Sequence, residues 1–386
     1  MAAAMDPARS SMPAPSPEAM AHSARVSALI DAEIAAAGGW IGFDRYMDLA
    51  LYAPGLGYYT AGARKFGGGA AGGDFVTAPE ISPLFARALA SQVAQVLRHT
   101  APRIVEFGAG TGALARELID ALAARGAAVE SYGIVELSAD LRERQRALLG
   151  DARVQWLDSP PRGFSGVIIA NEVLDVMPVR LFARQDGELL ERGVARRDGG
   201  FAFAGRPADA SLAEAVAGIE AEVGTLPDGY GSEIGMTARG WMRSAADWLA
   251  SGVLLAIDYG FPRHEYYLAQ RIMGTLMCHY RQHAHADPLW LPGLNDITAH
   301  VDFTAVAQAA HEGGLEVLGY TSQAHFLLNC GLLDLLKEDR TPAVANAAHR
   351  LISEAEMGEL VKVLAVGRGI DVPLQGFDRG DRTHTL

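Results

Sequence analysis

Glu106-Phe107-Gly108-Ala109-Gly110-Thr111-Gly112 joins a short apolar run, residues 103–107, to a stretch with helical spacing, residues 113–125. Glycines at such a junction let the chain turn tightly and let a ligand approach the backbone with no Cβ in the way. The glycines read G-x-G-x-G, whereas a pyrophosphate-binding fingerprint reads G-x-G-x-x-G. Glu106, two residues before the first glycine, disfavours a phosphate as well. It can instead answer a positively charged group, a sulfonium or an ammonium, through charge-assisted hydrogen bonds or water.

Working outward, short apolar strands alternate with helical stretches, the signature of a parallel sheet covered by helices. Strands are expected at 131–137, 154–157, 166–170, 253–257, 315–320 and 361–366, and helices at 141–149 and 303–312. This predicts an α/β protein with a Rossmann-like sheet and helices on both faces. Ahead of the sheet, residues 23–37 and 82–98 stripe one helix face with apolar side chains, and the turn-rich stretch 52–73 between them reads as a loop. The expected organisation is a disordered tail over 1–22, an N-terminal helical and lid region over 23–100, a core over 101–180 and 251–370 with an inserted segment at 261–300, an insertion over 181–250, and a flexible tail over 371–386. Within 181–250, residues 188–195 and 200–204 flank Arg197-Asp198-Gly199 and predict a β-hairpin.

Two further acids stand at expected strand ends. Glu136 follows the second strand, where a carboxylate can accept both hydroxyls of a ribose. Asp158 ends the third strand before Pro160-Pro161, placed to take a hydrogen bond from an adenine amino group. The set Glu106, Gly108, Gly110, Gly112, Glu136 and Asp158 therefore predicts S-adenosyl-L-methionine, with NAD or a structural coincidence as the alternatives.

Composition narrows the classes. The 386 residues are 49% hydrophobic and 20% charged, as in globular proteins, and the formal charge of −13 argues against nucleic acid. Cys278 and Cys330 form neither a disulfide framework nor a CxxC pair. No apolar run approaches the roughly 18 to 20 residues of a membrane span. A cytoplasmic location is expected, or the mitochondrial matrix if the source is eukaryotic. His279, His283, His285 and Asp287 raise a metal site, but no matching cysteine or carboxylate spacing accompanies them. No metal is expected; with Tyr280, Arg281 and Trp290 the stretch suits a protein-binding surface.

Longer motifs carry a family resemblance: Gly57-Tyr58-Tyr59, the run from Gly73 to Glu80 (GDFVTAPE), the glycine loop, Asn171-Glu172-Val173-Leu174-Asp175 with Pro178, Asp258-Tyr259-Gly260, the run from Asp296 to Phe303 (DITAHVDF), and Met357-Gly358-Glu359-Leu360. From about residue 24 to 369 the chain resembles the MidA-like proteins, which include a mitochondrial assembly factor for respiratory complex I. The resemblance implies a class I methyltransferase sheet and a protein arginine methyltransferase whose partner is a respiratory complex I subunit or a similar protein.

For a guanidinium acceptor, carboxylates are needed to hold and orient a delocalised cation. Glu172 and Asp175, following the fourth strand immediately after Asn171, supply a pair, and Asp258 with Tyr259 can complete an acidic, aromatic-lined pocket. The structural alternative for each is a capping or salt-bridging acid. Asn171 is expected to bind the cofactor, and Thr77, Pro79 and Glu80 are expected near its methionine end, with residues 73–80 folding over it as a lid. A cofactor-sensing assembly factor without catalysis and a small-molecule methyltransferase are the other functions this pattern allows.

Overall fold

The computed structural model describes residues 12–62, 77–150, 152–339 and 341–386; the motif residues Gly73 to Val76 lie outside the described residues. The chain divides into two compact units. The first draws on Met1–Phe75, Val176–Thr237 and His264–Ala299, and the second on Val76–Asp175, Ala238–Arg263 and His300–Leu386. The division thus falls inside the region 23–100.

The second unit holds the expected sheet. Its strands are β1 (Arg103–Phe107), β2 (Ser131–Val135), β3 (Val154–Leu157), β4 (Phe164–Asn171), β5 (Leu249–Phe261), β6 (Val301–Asp302), β7 (Glu316–Ser322) and β8 (Val361–Arg368), in the order β7-β8-β5-β4-β1-β2-β3, with β6 beside β5. Strands β1 to β5 run parallel, and β8 is antiparallel to both β5 and β7. Alternate strand residues Val167, Ile169, Val253, Leu255 and Ile257 join one core with the helices Pro83–Leu97 and Ala113–Ala124. Their neighbours Ile168, Leu254 and Ala256, which point to the opposite face, are just as buried. Both faces are therefore covered, which is why these strands read as unbroken apolar runs. At the β4–β5 crossing Gly252 is obligatory, because a Cβ there would lie 1.9 Å from the Gly166 carbonyl oxygen.

The stretch 371–386, expected to be a flexible tail, is instead tied down. Arg382 N donates to Tyr320 O at 2.7 Å, Gly376 N to Gln92 Oε1 at 2.8 Å, and Asn329 Nδ2 to Gly376 O at 2.9 Å. Three short helices missing from the sequence reading, Gln323–Asn329, Leu332–Glu338 and Pro342–Ile352, complete this side of the unit.

In the first unit, a helix runs over Pro17–Ala36 and buries Val26, Ile30 and Ile34. It starts ahead of the expected residue 23 because Ser16 caps it, accepting from Ala19 N, and proline suits its first turn. The strands Glu188–Arg197 and Gly200–Pro207 form the hairpin, with Arg197 opposite Gly200. That leaves Asp198-Gly199 as a two-residue turn with both φ positive, 49° and 78°, the mirror-type geometry that fits strand twist. The hairpin sits in a five-stranded antiparallel sheet with Trp40–Gly42, Arg180–Gln185 and Gly231–Ile234. A second, three-stranded sheet carries His279, His283 and His285. Among the described residues no group of three or more metal-capable side chains converges, and no helix is long and apolar enough to cross a membrane. His285 is buried, meets Asn295 Oδ1 at 3.2 Å and lies edge-on to Trp290.

Candidate active site

The site is built at the carboxyl ends of β1 to β5, all within the second unit. In an open α/β sheet that edge is where loops leave the strands and ligands bind.

The glycine loop leaves β1 with φ of 62° at Gly108, 53° at Gly110 and 87° at Gly112, a region L side chains rarely occupy. Gly112 then caps the helix Ala113–Ala124. A Cβ on Gly108 would come within 3.2 Å of Val173 Cγ2, so the loop passes close beneath the β4 turn.

Glu136, at the end of β2, is buried and faces this loop. Its Oε1 accepts from Ser138 N at 2.9 Å and its Oε2 from Gln145 Nε2 at 3.2 Å. The same Gln145 nitrogen donates to Gly110 O at 2.9 Å, while Gln145 Oε1 accepts from Trp156 Nε1 at 2.8 Å. One carboxamide therefore ties the loop, the β2 acid and β3 together. Burial raises the Glu136 carboxyl above its ordinary value, against the pull of Ser138 N–H and Gln145. Neither Gln145 nor Trp156 was singled out from sequence; the available signal was Gln145 four residues after Leu141, one helix turn apart on a single face.

Two expected cofactor acids have other partners. Glu106 is buried, and Tyr132 Oη donates to its Oε2 at 2.7 Å; burial, with some help from Glu136, pushes the carboxyl up to about 7. Asp158 points outward, its side chain 94% exposed, and pairs with Arg142 Nη1 at 2.9 Å. Arg142 also donates to Glu136 O and Leu157 O, so it laces the ends of β2 and β3.

At the end of β4 the acids gather. Glu172 has φ 53°, an uncommon conformation for a residue other than glycine, and its N–H donates to Ile257 O at 2.8 Å. Its Oε1 accepts from Asn171 Nδ2 at 3.3 Å and from Ala78 N at 3.2 Å. The latter contact brings in the short helix Ala78–Ile81, which contains Pro79 and Glu80 and is preceded by Thr77. Burial pushes the Glu172 carboxyl up to about 8, and the nearby charges of Asp258 and Glu80 add to the shift. Asp175 is buried in the same turn. No helix forms over 172–178, in keeping with Pro178.

Asp258 is fully buried on β5. Its Oδ2 accepts from Val173 N, Leu174 N and Asp175 N at 3.0, 2.7 and 3.3 Å, and its Oδ1 from Tyr259 N at 2.8 Å. Expected as a catalytic acid, it is engaged with the backbone on both oxygens. Burial still pushes its carboxyl up to about 6, because four N–H groups offset only part of the desolvation. Tyr259 stacks on His300 with centroids 6.2 Å apart, and burial followed by the charges of Glu172, Asp175 and Asp258 raises its hydroxyl far above the usual range.

These groups fit an adenosyl sulfonium compound. The glycine loop leaves room for a ligand at the backbone, Glu136 is a buried acid at the end of the next strand, and Asn171 Oδ1 is a buried acceptor with no hydrogen-bond partner among the described residues. An unsatisfied buried acceptor is costly, and an ammonium donor such as that of a methionine moiety would offset it.

Comparison with known proteins agrees. The family described as "Putative S-adenosyl-L-methionine-dependent methyltransferase" matches residues 85–321. A Burkholderia thailandensis protein described as a "COG1565 superfamily member and likely methyl transferase", solved bound to S-adenosyl-homocysteine, is 54% identical, with a TM-score of 0.93 over 97% of this chain and all of its own. A native structure from the same organism and superfamily gives 52% and 0.90 over the same shares. The Danio rerio protein named "Protein arginine methyltransferase NDUFAF7, mitochondrial" is 28% identical over 381 residues, 86% of this chain and 84% of its own. Its Homo sapiens counterpart is 27% identical over 369 residues, 83% and 78%. The names of these relatives say mitochondrial, which overturns the expectation of a cytoplasmic protein and accords with its mitochondrial alternative. The chain belongs to this MidA-like family of Rossmann-like enzymes, and it is a methyltransferase whose cofactor is S-adenosyl-L-methionine.

Proposed function

We propose that the enzyme is a protein arginine N-methyltransferase whose acceptor is a respiratory complex I (NADH dehydrogenase) subunit or a similar protein. The observation that carries this reading is the place of Glu172 and Asp175 in one turn whose Val173 lies against the glycine loop, with the charges of both reaching Tyr259 and that of Glu80 reaching Glu172. Burial raises the Glu172 carboxyl, the charges of Asp258 and Glu80 add to the rise, and a docked cation relieves both. A guanidinium is the side-chain cation that stays charged at every working pH and accepts two carboxylates along its edges. The names of the curated relatives support the same acceptor.

In this reading Gly108, Gly110, Gly112 and Glu136 hold the adenosyl part of the cofactor, and Asn171, Thr77, Pro79 and Glu80 its methionine end, while Asp158, turned outward onto Arg142, has no part in it. When bound, S-adenosyl-L-methionine supplies a methyl group activated by the sulfonium, with a neutral thioether as the leaving group. The protein's task is then alignment. Glu172 and Asp175 grip the guanidinium and orient one nitrogen toward the methyl carbon. Docking of the cation favours the ionised form of Glu172, so acceptor binding releases a proton from that carboxyl near neutral pH. The proton lost from the attacked nitrogen passes to a carboxylate or to water.

The test is incubation of the full chain with labelled S-adenosyl-L-methionine and isolated complex I subunits, followed by amino-acid analysis of the labelled protein. Label in methylarginine is the expected result. Bound cofactor with no labelled arginine on any subunit would overturn the proposal.

A further inference from the structure

Asn171 on β4 and Ile257 on β5 are neighbours in parallel register, so Glu172, just past the end of β4, stands beside Asp258 on β5. Asp258 Oδ2 then meets three successive backbone N–H groups, those of Val173, Leu174 and Asp175. Converging N–H groups of this kind form an anion-binding concavity, and here the anion is supplied by the protein itself. Its other oxygen holds Tyr259 N, and Ile257 O holds Glu172 N, so β5 holds the turn through one carbonyl and one side chain.

We infer that Asp258 is a positioning residue for the acceptor site, fixing the 172–175 turn so that Glu172 and Asp175 present their carboxylates in one direction. The inference rests on the reading that those two acids hold the acceptor. A non-glycine residue keeps a φ of 53° where its surroundings hold it there, and here Ile257 O holds Glu172 N while Asp258 holds the three amides that follow. The charge of Asp258 also reaches Glu172 and raises its carboxyl, as does that of Glu80 from the helix Ala78–Ile81. Tyr259 and Asp175 stand in the same group, and Arg350 faces it from Pro342–Ile352, acting on Tyr259.

A bystander that merely fills space would leave the titration of Glu172 alone, so carboxyl-carbon NMR of that residue separates the two cases. In the full chain carrying Asp258→Asn, the Glu172 midpoint should fall by about one pH unit as a neighbouring negative charge is lost. Amide protection at residues 173–175 should fall at least tenfold while the β5 amides hold. An unchanged midpoint with unchanged protection would overturn the inference. If that variant does not fold, the wild type serves: protection of those three amides should drop as pH falls through about 6, where Asp258 takes up a proton, and amides unprotected at pH 8 would contradict the clamp. The methyl-transfer assay with Glu172→Gln tests the underlying reading separately: full activity there would sink the acceptor assignment and leave the Asp258 measurements standing.

Discussion

Tyr132 Oη donates a 2.7 Å hydrogen bond to Glu106 Oε2, linking two neighbouring parallel strands just before the cofactor loop. The bond supports a carboxyl that burial pushes from an ordinary 4.5 up to about 7. Because the folded chain holds that proton more tightly than the unfolded chain, this contribution to stability is fully present below about pH 4.5 and is lost as pH rises through about 7.

Glu106→Gln removes the titration and keeps an acceptor for Tyr132. Its thermal stability without cofactor should match the wild type near pH 4 and exceed it by pH 8, by on the order of 3 kcal/mol. Melting curves for both proteins across that range check it, and parallel curves at every pH would refute it.

This pair also shows where sequence reading stops. The acid before a glycine loop is visible as a letter. That Tyr132, on the next strand, takes up one of its oxygens follows only from sheet register. The sheet itself was legible because its central strands are buried on both faces and so read as apolar runs, and the helix Phe303–Glu312 was legible because its apolar spacing begins right after Asp302, which caps it. The helices Met236–Trp248 and Ala210–Val223 were not, the first containing Gly240 and the second Gly218, which weaken the helical pattern. At the site, the pairing of Glu172 with Asp175 was within reach of sequence, but the clamp by Asp258 joins residues more than eighty positions apart.

Methyl transfer should depend on pH through Glu172. Its carboxylate form grips the acceptor, and the free carboxyl titrates at about 8, so kcat/KM for a complex I subunit should rise as pH climbs toward that value. Glu172→Gln should lower kcat/KM roughly 100-fold and flatten the profile. A pH-rate series on both proteins decides it; a variant with the wild-type profile would contradict the role given to Glu172.

Gly112 tests the loop. At φ 87° an alanine is strained, while its Cβ would meet Gln145 Cγ at 3.4 Å, an ordinary contact. Backbone strain therefore outweighs crowding, and Gly112→Ala should cost about 1–2 kcal/mol in urea denaturation. A loss near zero would mean that the loop relaxes without penalty.

In the proposed function Glu136 is the acid that meets the adenosyl ribose. Isothermal titration of S-adenosylhomocysteine into the wild type should show binding at one site, and into Glu136→Gln a Kd raised about 10- to 100-fold, the loss of one or two charge-assisted hydrogen bonds. Folded wild-type protein that takes up no ligand, or equal affinity in the two proteins, would contradict it.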